Sequence, residues 1–136
     1  MTGDKYIVLY VERKYIKWSR HTGHANDPIS ICLRHTFGIP KGKLLFSVGG
    51  FYMKHKSLTV IVHDVESPLL MHSYELSHPV KKIMWQWFKH IPINPFNVRI
   101  TFTKEQIDTI IEFQRINRLL PTGINLLKTT TNEEHN

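Results

Sequence analysis

Few side chains in this sequence stand at spacings that do chemistry. His21 and His24 form an H-x-x-H pair inside "HTGHANDP". Two imidazoles hold a metal ion only where further ligands converge, and neither Cys32 nor a carboxylate stands at metal-motif spacing, so histidines at the surface are the simpler reading. Cys32 is the single cysteine; it excludes an internal disulfide, and its place in an apolar alternation fits a small core residue better than a nucleophile paired with histidine. No H-E-x-x-H, phosphate loop, dinucleotide fingerprint or G-x-S-x-G elbow occurs. The expectation is a protein without catalytic residues, metal ligands or cofactor.

Anion recognition is the chemistry that remains. Lys14, Lys17 and Arg20 in "RKYIKWSRH", with Lys81 and Lys82 further on, are the candidate phosphate-binding cations. Tyr15 and Trp18 lie between the first three and have rings that stack on bases, although such aromatics are more often core. If Arg13 to Trp18 is a strand, Lys14 and Lys17 have opposite parity and point to opposite faces, which weighs against a joint grip on an inositol phosphate. The formal charge of +7, with nine histidines besides, favours an anionic contact: nucleic acid, an acidic membrane surface or an acidic partner segment. These charges are scattered, so an ordinary solvated basic surface is an equal reading.

A chain of 136 residues, 41% hydrophobic, is long enough to bury one core and short for two. No apolar run approaches membrane-spanning length and no signal-peptide pattern opens the chain, so a soluble intracellular protein is expected. Tyr6 to Val11 is a continuous apolar run that reads as a strand buried on both sides or at a sheet centre, Arg13 to Trp18 and Ile29 to Leu33 read as alternating strands, and Leu44 to Val48 and Leu58 to Val65 as β-branched strands. Ser67-Pro68 breaks the pattern before Leu69 to Tyr74. Ile83 to Phe88 has helical periodicity as well, but its two tryptophans and the prolines after it favour a strand. Val98, Ile100 and Phe102 then alternate with Arg99 and Thr101.

At Thr103 the period changes. Thr103 to Gln106 is a capping box, Ile107, Ile110 and Ile111 recur at helical spacing, and Pro121 must end the helix. At about 100° per residue, Phe113, Ile116 and Leu120 form a second apolar stripe displaced from the first. Loops could cover it; as a partner groove it is a protein-recognition surface, which Trp85 and Trp87 on the preceding strand would extend. The domain spans residues 1–120, and 121–136 reads as a polar tail or the start of a linker.

About seven short strands followed by one helix resemble an α+β pleckstrin-homology (PH) superfold, a β-sandwich or barrel of antiparallel strands capped by one C-terminal helix. Three segments, "YVERKYIKW", "GGFYMKHKSLTVIV" and "KIMWQWFKHIPINPFNVRITFTKEQIDTII", resemble more narrowly the N-terminal PH-like domain of the accessory family that supports meiotic DNA double-strand break formation. That resemblance implies a non-catalytic scaffold of the nucleus, associated with chromosomes, that docks segments of the break-forming complex and of chromosome-axis proteins, with at most weak, non-specific DNA contact. The alternatives are a basic PH-type phosphoinositide or membrane adaptor and a small viral nucleic-acid-binding protein.

Overall fold

The computed structural model describes residues 3–22, 26–40, 45–49, 57–64 and 67–129. Strand β1 (Lys5–Val11) pairs antiparallel with β5 (Phe96–Phe102), Tyr6 opposite Thr101, Val8 opposite Arg99 and Tyr10 opposite Asn97. The short β6 (Lys128–Thr129) lies along the other edge of β1, which makes a three-stranded sheet in the order β5-β1-β6. Strands β2 (Leu45–Gly49), β3 (Ser57–Asp64) and β4 (Ser67–Glu75) form a second antiparallel meander, whose β3 to β4 hairpin accommodates Pro68 opposite His63.

The described residues also form four α-helices: α1 (Arg13–Trp18), α2 (Pro28–Phe37), α3 (His78–Phe88) and α4 (Lys104–Ile116). The expected PH-like sandwich of about seven strands with one helix is therefore wrong. The protein is α+β, with two open three-stranded sheets and helices at three places read as strands. The reasons are local. Asp27 caps α2, its carboxylate accepting the Ser30 N–H at 3.0 Å, and Pro28 occupies the first turn, where its missing donor costs nothing. Ile29, Cys32, Leu33 and Phe37 then share one buried helical face, and the alternation through Ile31 was incidental. In α3, Pro79 again sits in the first turn, and Val80, Met84 and Trp87 are the buried positions.

Ile7, Leu9 and Val11 of β1 meet Val98, Ile100 and Phe102 of β5 on the inner face, under α2, α3 and α4. The ring of Phe37 packs edge-on against Phe102, 5.8 Å between centroids. Val8 and Tyr10 face solvent, so β1 is the central strand of its sheet but is buried on one side rather than both. Thr103 forms the expected capping box: its hydroxyl accepts the Gln106 N–H, and the Gln106 side chain accepts the Thr103 N–H at 3.0 Å. Of the first α4 stripe, Ile107 and Ile110 are core but Ile111 is exposed; buried Gln114 takes its place. The Gln114 Nε2 donates to Phe37 O at 2.9 Å and Thr122 O at 3.1 Å, tying α4 to the end of α2 and to the segment that follows.

That segment includes residues read from sequence as a tail. Gly123 seats against the backbone of Thr36, Ile124 and Leu127 pack on the core, and β6 follows a 3₁₀ turn (Ile124–Leu126). Residues 130–136 lie outside the described part.

Helices α2, α3 and α4 end alike. The amide of Gly38 bonds to His35 O and that of Ile39 to Arg34 O; His90 bonds to Trp87 O and Ile91 to Gln86 O; Arg118 bonds to Arg115 O and Leu119 to Gln114 O. Each is a Schellman closure, with a left-handed residue followed by an apolar one. The left-handed residue is glycine only in α2: φ is 64° at Gly38, 62° at His90 and 56° at Arg118.

Candidate functional site

The short helix α1 lies against α2. Tyr15 is buried between them and shares a 2.8 Å hydrogen bond with His35 Nδ1; burial, then the neighbouring Cys32 and Glu12, push its phenol above the ordinary tyrosine range. Trp18, three residues on and 51% exposed, stands edge-on to Tyr15 at 5.7 Å and tilted toward His35 at 6.1 Å. It forms one wall of an open groove of about 640 Å³ lined by Ile31, Arg34, His35, Gly38, Ile39, Pro40 and Leu119. Arg34 is the cation on this mostly apolar lining, and burial draws its pKa below the usual arginine range.

Leu119 enters the groove because the Schellman closure of α4 folds the chain back at Arg118. The same turn leaves Ile116 62% and Leu120 78% exposed on either side of it. Two of the three second-stripe residues are thus exposed, though not in the groove lining, whereas Phe113 is half-buried and packs on the core. Sequence reasoning missed Ile39 and Leu119 and treated Trp18 only as a base-stacking or core ring. The apolar residue that follows each helix end was the available signal.

Trp85 and Trp87 do not extend this surface. They lie on a helix, not a strand, so two positions place them about 200° apart. Trp85 is exposed, with the Lys89 ammonium 4.7 Å from its ring centre, and is not part of the groove wall. Trp87 is buried, donates from Nε1 to Ser19 Oγ at 3.1 Å and stacks on His21 at 4.2 Å, which in turn stacks on His90 at 3.9 Å. His21 is thereby engaged in packing; His24 lies outside the described residues.

The cations also move. In helix α1, Lys14 and Lys17 are three residues apart and share a face, which removes the parity argument against them. Both are exposed, as are Arg20 and Lys82; Lys81 on α3 is half-buried. Lys14 leans over Tyr15 at 5.2 Å.

Cys32 is buried and its thiol is pushed up to about 11, chiefly by desolvation, so it is a poor nucleophile at neutral pH. Among the described residues no three His, Cys, Asp or Glu side chains are grouped to hold a metal ion, and no helix is long and apolar enough to cross a membrane. Comparisons with models of protein families, with curated proteins and with solved structures find no match, so any functional reading rests on the geometry above.

Proposed function

We propose that this chain is a non-catalytic binding protein whose groove between α1, α2 and the end of α4 takes an amphipathic partner segment. The observation that carries it is one open, mostly apolar groove, with exposed Trp18 as a wall and Ile31, Ile39 and half-buried Leu119 in its lining. Isolated surface hydrophobics need no explanation; a joined set around a groove is the mark of helix-in-groove recognition. The formal charge of +7 favours carboxylates on the partner's polar edge.

The meiotic resemblance was drawn on an order of strands. In two of its three segments that order gives way to helix, at Arg13–Trp18 and His78–Phe88. A partner from the break-forming complex is therefore one candidate for the groove, on the same footing as any amphipathic acidic segment.

The test is selection from a displayed peptide library, followed by binding titrations with variants. Amphipathic acidic peptides should be enriched, and Trp18→Ala and Ile116→Glu should each weaken them at least about tenfold, as at an interface hot spot. Ile116→Glu should melt like the wild type, because no buried charge is created, whereas Ile110→Glu places a carboxylate in the core and should unfold the domain. Enriched peptides indifferent to both Trp18 and Ile116 would exclude the groove.

A further inference from the structure

A second surface lies on the opposite side of the β5-β1-β6 sheet from the helices. Its residues are Tyr6, Val8 and Tyr10 of β1, Asn97, Arg99 and Thr101 of β5, and Lys128 opposite Tyr6. The helices cover only the inner face, so Val8 and Tyr10 stand 53% and 55% exposed in the middle of the sheet. A half-exposed strand usually puts polar residues outward; this one puts out two tyrosines and a valine.

Charge distinguishes the face from a bare apolar patch. The three strands contain Lys5, Arg99 and Lys128 and no carboxylate, with Asp4 and Glu12 only beyond the ends of β1. Arg99 lies diagonally across from Tyr6, its guanidinium carbon 3.7 Å from the ring centre. A guanidinium so stacked presents its other plane outward, and bases stack on such planes as well as on aromatic rings. Tyr6 and Tyr10 are four strand residues apart, about 14 Å, so one extended strand can lay separate bases on the Arg99–Tyr6 pair and on Tyr10.

From this arrangement we infer that the outer sheet face binds single-stranded nucleic acid, with bases stacked on Tyr10 and on the Arg99–Tyr6 pair and phosphates held by Arg99 and Lys128. Binding is sequence-tolerant so far as it rests on stacking, because every base has a stacking face. A duplex hides the stacking faces of its bases and gains only the screened attraction of the charges. The surface is separate from the peptide groove, and its test does not depend on that reading.

Fluorescence anisotropy with labelled oligo-dT, oligo-U and a duplex of equal length distinguishes the possibilities. The full chain should bind both single strands more tightly than the duplex, and the better of oligo-dT and oligo-U identifies the sugar preferred. The logarithm of the binding constant should fall with log salt at about −0.7 per phosphate neutralised, a slope of about −1.4 for Arg99 and Lys128 together. Tyr10→Ala should weaken single-strand binding about tenfold and leave the duplex unchanged, whereas Arg99→Gln should weaken both and reduce the slope by about 0.7. Lys81→Ala with Lys82→Ala removes two charges elsewhere and should leave the preference for single strands intact. Should a variant not fold, ultraviolet cross-linking of wild-type protein to iodouracil oligonucleotides, mapped by mass spectrometry, must fall on the β1 peptide. Equal affinity for duplex and single strand, indifference to Tyr10→Ala in a folded variant, cross-links on α1 instead, or binding to phosphatidylserine vesicles without binding to oligonucleotides would each overturn the inference.

Discussion

Three helices of this protein close with the same hydrogen bonds but with different residues at the left-handed position, and substitution there should have opposite signs at different sites. At Gly38 an added Cβ would meet only the Thr122 side chain, at 3.4 Å and beyond, so space is not limiting and the cost of Gly38→Ala is backbone strain. A left-handed L-residue costs about 1–2 kcal/mol, slightly offset by the smaller entropy of the unfolded alanine chain. Gly38→Ala should therefore lose about 1 kcal/mol. At Arg118, φ 56°, the strain is already present, and Arg118→Gly relieves it while adding about 0.5–1 kcal/mol of unfolded-chain entropy. The net should be a gain of roughly 0.5 kcal/mol. For a chain of this length 1 kcal/mol corresponds to about 3–5 °C in Tm, so Gly38→Ala should melt a few degrees below the wild type and Arg118→Gly one or two degrees above it. Circular-dichroism melts and urea midpoints measure both. If Arg118→Gly melts well below the wild type, the left-handed turn that turns Leu119 into the groove is not the conformation in solution, and the groove loses that wall.

Other substitutions test the core. Phe102→Ala should cost about 3–5 kcal/mol in urea unfolding, because that ring is fully buried beneath Phe37; an unchanged midpoint would contradict the inner face of β5. Gly123→Ala should cost about 2–4 kcal/mol, since φ is 85° and the new Cβ would stand 2.6 Å from Thr36 O; a neutral result would mean that the segment before β6 does not dock there. The buried Cys32 thiol has its pKa raised from 9.0 to about 11, so its contribution to stability is complete below pH 9 and lost as pH rises through 11. Relative to Cys32→Ala, which shares every other titrating group, the wild type should lose up to roughly 2–3 kcal/mol over that interval and nothing below about pH 8.

The parts of the fold legible in the sequence are those where one local signal dominates. A continuous apolar run placed β1, alternation placed β5, and the Thr103 capping box placed the start of α4 at Lys104. Helices α1 to α3 were misread because alternation over five or six residues is also compatible with a helix, and end signals had to decide. For α2 these were present: Asp27-Pro28 at one end and Gly38 at the other. In α3, aromatic residues were given weight as strand formers, although Trp85 and Trp87 lie on different faces of a helix started by Pro79. The turns at His90 and Arg118 carry no glycine, so the one local sign of each was the apolar residue after it, Ile91 and Leu119. Ile116 and Leu120 were visible as apolar residues beyond the buried stripe, whereas Trp18, Ile39 and Leu119 of the candidate groove are brought together by tertiary structure alone.

The pairing of β1 has a consequence for how the chain is made. Its partners are β5, with Val11 opposite Phe96, and β6, with Lys5 opposite Thr129. During synthesis β1 leaves the ribosome on the order of ten seconds before the strand that covers it, with its Ile-Val-Leu-Tyr-Val run unpaired meanwhile. Closing so long a loop makes nucleation slow compared with a local hairpin or helix, so this sheet should form late. The helices and the β2-β3-β4 meander are made of contacts closer in sequence and have time to form first. The nascent chain is thus most exposed to misassociation through β1, and a chaperone that holds extended apolar segments would have its natural target at residues 7–11.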